Sequence, residues 1–340
     1  MAERRTATIS AGIVSVLLGA GYGATKWLAA SDRRRTGVDR QGLARAMEYL
    51  AEPVGAKHHV FASTDGGQLH VVEHGKADAK PIVLLHGVNL AAALYNHTLV
   101  DLGHRFRVFA LDWRGHGRSR PGRDGYGLAQ LGNDVATLLE HFDLRDAVVL
   151  GHSMGGMGLG RFAVDHLEVS SSRVSGLVFC DTAAFDVGHL PHFLRALQPA
   201  LASLNARRPE LVGKIAQAPR GDLGYAVTRL VFGKNPDPMA VEQHRLMYDA
   251  MSPAAMSNSM LPLVSHDLRL SLPSVTTPSL VMVGADDRLT PPSQAEDLVR
   301  LLPNGRLHTF PDVGHVPMLE CRTEFARVLA SFADEVQSSH

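Results

Sequence analysis

The chain has 340 residues, of which 45% are hydrophobic and 20% charged, with a formal net charge of zero. That balance suits an ordinary α/β core of one large domain or two small ones. It speaks against a nucleic-acid binder, which would carry a basic patch or stripe, and two cysteines cannot build a disulfide framework or a thiolate metal site.

In chain order, the first feature is an uncharged run from Thr6 to Thr25, flanked by Arg4 and Arg5 before it and Lys26, Arg33, Arg34 and Arg35 after it. A membrane span needs about 20 mostly apolar residues, so residues 1–30 read as a single N-terminal anchor and a membrane-associated protein. A cleaved signal peptide and a peripheral amphipathic helix remain as alternatives, and the basic flanks leave the orientation open. Ala11, Ser15, Gly19 and Gly23 recur at every fourth position, a small-residue stripe on which two such helices would pack as a homodimer. Residues 31–54 are Arg-rich, then weakly helical up to Pro53, and read as a juxtamembrane linker.

His59 to Ser63 and Leu69 to His74 alternate like strands around Asp65-Gly66-Gly67, a hairpin turn. His70-Val71-Val72-Glu73-His74 matches a zinc-peptidase pattern, but that motif needs a helix and the period here is two. The match is accidental. Pro81 to Leu85 is a continuous apolar run of the parallel-sheet kind, followed by His86-Gly87-Val88-Asn89. A helix is expected over Ala91 to Leu102, then a strand over Arg107 to Leu111 that ends in Asp112-Trp113-Arg114-Gly115-His116-Gly117-Arg118-Ser119. Leu128 to Phe142 is an amphipathic helix.

The next stretch carries the chemistry. Ala147 to Leu150 reads as a buried strand, broken by Gly151-His152-Ser153-Met154-Gly155-Gly156 and followed by a helical pattern. G-x-S-x-G between strand and helix is a nucleophile elbow, because any Cβ beside the serine would collide with the strand or the helix. Ser153 then stands at a helix N-terminus, where the dipole favours a developing anion.

With that elbow the chain resembles the α/β-hydrolases, in the serine esterase and lipase branch that includes monoacylglycerol-lipase-like enzymes. Matching landmarks run from about His59 to Val328. The resemblance implies a mostly parallel eight-stranded sheet flanked by helices, with a helical cap inserted after strand six. The core would be 55–185 and 272–340 and the cap 186–271. His86-Gly87 would open the oxyanion loop, making the N–H groups of Val88 and Met154 the donors of the oxyanion hole. Asp112 to Ser119 would serve loop architecture, so Asp112 and His116 are set apart from the catalytic residues. A strand from Val174 to Phe179 ends at Cys180-Asp181. Beyond Phe185 come helical stretches broken by Pro209, Pro219, Pro236, Pro238, Pro253 and Pro262, with Leu190, Phe193, Leu194, Leu197, Met247, Met251, Met256 and Met260 available to line a pocket or to pack the cap.

A strand over Ser279 to Val283 leads into Gly284-Ala285-Asp286-Asp287, with Pro291 beyond. The family position of the triad acid selects Asp287, with Asp286 pointing elsewhere; Asp181 competes, since some lipases of this fold take the acid from the end of strand six. Arg306 to Phe310 is the last strand, and Gly314-His315-Val316-Pro317-Met318-Leu319-Glu320 carries the family histidine, His315. The chain order Ser153, Asp287, His315 is the order this fold requires. The implied function is a carboxylic-ester hydrolase, an esterase or lipase acting on a small-molecule or lipid ester through Ser153, with no metal or organic cofactor and no nucleic-acid partner. A thioesterase, an aminopeptidase, a carbon–carbon hydrolase and a cofactor-free perhydrolase share the constellation, and a non-catalytic receptor or scaffold shares the fold. In this arrangement a strand separates the strands of Cys180 and Cys321, so two free thiols are expected.

Overall fold

The computed structural model describes residues 51–185, 202–217 and 221–338. The expected anchor, most of the linker, and Leu190, Phe193, Leu194 and Leu197 lie outside the described residues.

Eight strands form one sheet: β1 (Lys57–Ala62), β2 (Gln68–Gly75), β3 (Pro81–Leu85), β4 (Arg107–Asp112), β5 (Ala147–His152), β6 (Val174–Cys180), β7 (Ser279–Gly284) and β8 (Gly305–Phe310). Their spatial order is β1-β2-β4-β3-β5-β6-β7-β8. β2 runs antiparallel to β1 and β4 on either side of it, and β3 to β8 are parallel. The apolar runs explain this: β3, β5, β6 and β7 are buried along their whole length, which requires helices on both faces. Between β3 and β6 along the chain come helices α1 (Asn96–Gly103), α2 (Leu128–His141), α3 (Met154–Asp165) and α4 (Leu167–Arg173). The expected helix over Ala91 to Leu102 breaks at Asn96, its first turn being a 3-10 turn at Ala92–Tyr95.

Among the described residues, the insertion between β6 and β7 includes the helices α5 (Pro209–Ala216), α6 (Gly221–Arg229), α7 (Pro238–Ala250) and α8 (Pro253–Met260) and no strand. Its two ends are tied together, because Leu268 donates its N–H to Ala184 O at 2.9 Å and His266 Nε2 donates to Ala183 O at 3.1 Å. Pro209, Pro238 and Pro253 are not interruptions but the first residues of their helices, where the missing N–H costs nothing. Asp237 and Ser252 cap two of them, accepting from the N–H groups of Met239 and Ala255. Met251 and Met256 pack with Ala255 and Tyr248 of the insertion and with Tyr126 from the core loop before α2, Met247 joins one of the main cores, and Met260 is exposed. After β7 come α9 (Pro292–Leu301), the short α10 (Pro317–Glu320) and α11 (Arg322–Ser338). One face of the sheet is packed by Leu99, Phe325 and Phe332, the other by Leu131, Phe162 and Leu298. Cys180 and Cys321 are both free, and Cys321 follows α10 instead of standing on a strand as supposed.

The loops of the antiparallel end are held by a buried ion cluster that composition alone did not announce. Arg114, 1% exposed, binds Asp134 through Nε (2.8 Å) and Nη2 (2.7 Å), and Asp65 through Nη1 (2.8 Å). Ser63 Oγ donates to Asp134 Oδ1 at 2.6 Å. Removing the cation leaves two buried carboxylates facing each other, so Arg114→Met is expected to cost about 3–5 kcal/mol of stability, read from urea unfolding. A change below 1 kcal/mol would contradict it.

The zinc-like His70-to-His74 run lies on β2, as its period implied. His70 binds Asp112 and Glu73 binds Arg107, on alternate sides of the sheet.

Candidate active site

The strand order places β3 between β4 and β5, so the chain leaves β3 and β5 on opposite sides and opens a crevice at their C-terminal ends. Ser153 stands there. Its φ of +52° and ψ of −119° put a non-glycine residue in a strained turn at the N-cap of α3. The turn is over-determined by its neighbours. Ser153 donates its N–H to Cys180 O at 2.9 Å, and its carbonyl accepts from Thr182 Oγ1 at 2.7 Å and from the Gly156 N–H at 2.9 Å. A Cβ at Gly151 would lie 2.4 Å from Gly155 O, and one at Gly155 only 2.3 Å from Leu85 O. The glycines are therefore a packing requirement of the elbow. Ser153 is the half-exposed residue between the buried His152 and Met154.

The loop after β3 meets the serine. A Cβ at Gly87 would lie 3.1 Å from the Ser153 Cβ, so the peptide leading to Val88 passes directly beside the nucleophile. Val88 is half-buried, and Met154 opens α3 on the other side of Ser153. The loop is locked by His86, whose Nδ1 donates to Gly87 O (2.7 Å) while its Nε2 accepts from the Trp113 N–H (3.1 Å). Trp113 Nε1 donates to His86 O at 2.8 Å. Burial keeps His86 below the usual histidine range, against Asp112, so it stays neutral and this tautomer is available. Asp112 accepts the N–H groups of Ala92 (2.7 Å) and Arg118 (3.0 Å), and burial, then His86, pulls His116 down to about 3. Both are structural, in line with the role assigned to their motif.

His315 is held on three sides. Its N–H donates to Val231 O (2.8 Å), its carbonyl accepts from His152 Nε2 (2.7 Å), and its Nδ1 bonds Asp287 Oδ2 at 2.8 Å. The His152 and His315 ring centroids are 4.9 Å apart, which brings His315 against the residue preceding Ser153. Asp287 Oδ1 accepts from the N–H groups of Leu289 (2.8 Å) and Thr290 (3.2 Å), and Oδ2 also accepts from Thr290 Oγ1 (2.7 Å). Burial pushes the Asp287 carboxyl up, but His315 and these donors outweigh it and hold it below the usual range. It is an anion at neutral pH. Asp286 turns the other way, with Lys234 Nζ at 3.5 Å.

Several residues of this site had no distinct signal in the sequence. The insertion segment Val231 to Lys234 packs backbone-to-backbone on the His315 loop, since a Cβ at Gly233 would lie 2.3 Å from Asp312 O. Glu320 clasps the two together: Oε2 accepts from the Gly233 N–H (2.7 Å) and Oε1 from the Gly314 N–H (3.0 Å) and the Val316 N–H (3.3 Å). Glu320 was part of the histidine motif, but its partner could only come from the insertion. A small cavity lined by Val227, Val231, His244 and Tyr248 opens inside the insertion beside this clasp. Among the described residues, the side chains with metal-ligand spacing are Asp181, Asp287 and His315. Asp287 and His315 Nδ1 are already committed to the hydrogen bonds above, so the group is a proton-handling cluster and not a cation site.

A strained serine elbow, a histidine–carboxylate pair beside it and a flanking loop together define a hydrolase site. The chain belongs to the α/β-hydrolase fold family, whose model matches residues 80–320. It is 30% identical over 276 residues to the non-heme chloroperoxidase of Streptomyces lividans, covering 74% of this chain and 94% of that protein. To the pimeloyl-acyl-carrier-protein methyl ester esterase of Vibrio atlanticus it is 25% identical over 269 residues, covering 77% of this chain and 97% of the relative. Among solved structures, an esterase from Exiguobacterium antarcticum superposes with a TM-score of 0.69 at 23% identity, covering 82% of this chain and 100% of that one.

Proposed function

We propose that this hydrolase cleaves carboxylic esters through an acyl-enzyme on Ser153, with Asp287 and His315 completing the triad. The observation that carries the reading is the Asp287–His315 Nδ1 bond next to the strained Ser153 turn. His315 Nε2 takes the hydroxyl proton as Ser153 Oγ attacks the carbonyl carbon, and Asp287 holds the tautomer and steadies the imidazolium. The N–H groups of Val88 and Met154 receive the oxyanion. The tetrahedral species then expels the alcohol, which takes the proton from His315. Water, deprotonated by the same nitrogen, attacks the acyl-enzyme and releases the acid and the serine. A serine in this position is unsuited to the aspartate-ester chemistry of dehalogenases and epoxide hydrolases.

The test is a pre-steady-state burst with a short nitrophenyl ester: one equivalent of nitrophenol per chain, then a slower phase. A chain that binds the ester without releasing nitrophenol is a receptor, not an enzyme. The methyl ester esterase among the relatives supports the ester class, and relative rates on esters, thioesters and arylamides separate it from the neighbouring reactions. The chloroperoxidase relative supports a second reading, in which hydrogen peroxide replaces water in the second step and yields a peracid. Loss of the acid product in favour of the peracid at equal nucleophile concentrations would favour it.

Action on lipid esters, in the monoacylglycerol-lipase-like sense, is supported by the uncharged Thr6 to Thr25 run, which would attach the enzyme to a membrane and pair two copies. Deleting residues 1–30 is expected to move the protein from the membrane pellet to the supernatant with activity on soluble esters kept. Full-length protein that is unprocessed and free of the pellet would refute the anchor.

A further inference from the structure

Asp181 directly follows β6 and has no part in the steps above, yet it is 1% exposed and stands behind the triad. Its carboxyl, the Asp287 carboxyl and a ring nitrogen of His315 all lie within 4.8 Å of one another. Its φ of +42° is in the left-handed region that favours glycine, and its N–H donates to Met282 O at 2.9 Å. Oδ1 accepts from the Gly284 N–H at 2.9 Å, and Gly284 is where the Asp287 loop leaves β7. Oδ2 takes the Cys180 thiol at 3.2 Å.

Two buried carboxylates this close, sharing one imidazole, do not both ionise, because their repulsion is little screened. The donors decide which one carries the charge. Asp287 receives Leu289 N–H, Thr290 N–H, Thr290 Oγ1 and His315 Nδ1, whereas Asp181 receives one N–H and one weak thiol. Among the described residues, no lysine or arginine pairs with either carboxyl. From this geometry we infer that Asp181 is a positioning residue for the triad: a neutral carboxylic acid that fixes the root of the Asp287 loop and limits the charge behind His315 to a single unit.

The electrostatics run in the same sense. Burial, then the charge on Asp287, pushes the Asp181 carboxyl well above the usual range. The other titratable groups around the pair and His315 stay neutral: burial raises the Cys180 thiol strongly and the Cys321 thiol to about 12, lowers His152 far below the usual histidine range, and with His315 brings His244 of α7 down to about 4. The benefit lies with the base. A second anion beside His315 would favour its imidazolium at neutral pH, and a protonated His315 cannot accept the Ser153 proton. This benefit rests on the triad reading; the protonation state itself does not.

The experiment is a titration of the His315 ring by ¹⁵N NMR in the full chain, assigned with His315→Gln, for wild type, Asp181→Asn and Asp287→Asn. Asp181→Asn is expected to move the His315 midpoint by less than about 0.3 pH unit, because a neutral acid is replaced by a neutral amide, whereas Asp287→Asn lowers it by about one unit or more. A drop of about one unit in Asp181→Asn would mean that an anion was removed, and would overturn the inference. Asp181→Leu, which has no acceptor for the Gly284 N–H, should lower kcat at least about tenfold below Asp181→Asn with KM unchanged. Equal kcat in the two variants would refute the positioning role. The titration needs no turnover, so the expected shifts in a protein that hydrolyses no ester would sink the esterase reading and leave the state of Asp181 established.

Discussion

Ser153→Ala is expected to abolish nitrophenyl ester turnover, with kcat lower by roughly 10⁶-fold as for other serine nucleophiles, and to abolish labelling by a fluorophosphonate. The size follows from the mechanism, since without Oγ there is no acyl-enzyme and the remaining donors only bind. The fold should survive. The strained turn is held through the Ser153 backbone, by bonds to Cys180 O, Thr182 Oγ1 and the Gly156 N–H, none of which uses the Ser153 hydroxyl. Unchanged thermal unfolding together with lost turnover is the expected pair of results, and a purified variant with near wild-type kcat would remove Ser153 from the mechanism.

Asp287→Asn should lower kcat by roughly 10⁴-fold, and here the structure supplies the cause. The Leu289 and Thr290 N–H groups at the Oδ1 position demand an acceptor, so the amide oxygen of the asparagine settles there. The amide nitrogen then occupies the Oδ2 position and donates to His315 Nδ1, with Thr290 Oγ1 turning to accept. That bond requires a bare Nδ1 and puts the proton on Nε2, where it blocks attack by Ser153. Asp181→Asn, which faces Gly284 and not His315 Nδ1, should cost about tenfold or less. Steady-state kinetics of the two variants at one pH decide the matter; reversed penalties would assign the triad acid to the end of β6.

Legibility in the sequence differed by element, for physical reasons. Strands buried on both faces, such as Pro81–Leu85 and Ala147–His152, announce themselves because every position must be apolar. The elbow is legible because contacts between Gly151, Gly155 and Leu85 leave no room for a side chain, so chemistry and packing select the same letters. The prolines of the insertion misled for the converse reason. A proline breaks a helix interior and begins a helix equally well, and only the capping side chains Asp237 and Ser252 tell which applies.

By itself the sequence determined the order of the strands along the chain, the strained turn at Ser153 and the motifs that bring Val88, Asp287 and His315 to the ends of their strands. Local backbone sterics and the period of the apolar residues carry that information. Tertiary structure alone decided that Asp181 stands behind the Asp287–His315 pair, that Glu320 ties the His315 loop to Gly233, and that Trp113 locks His86. Each of these pairs joins residues that are distant in the chain, or sets two buried carboxyls in different roles beside one imidazole. Such an arrangement depends on hydrogen-bond donors and buried charge that converge only when the sheet edge and the insertion close on one another.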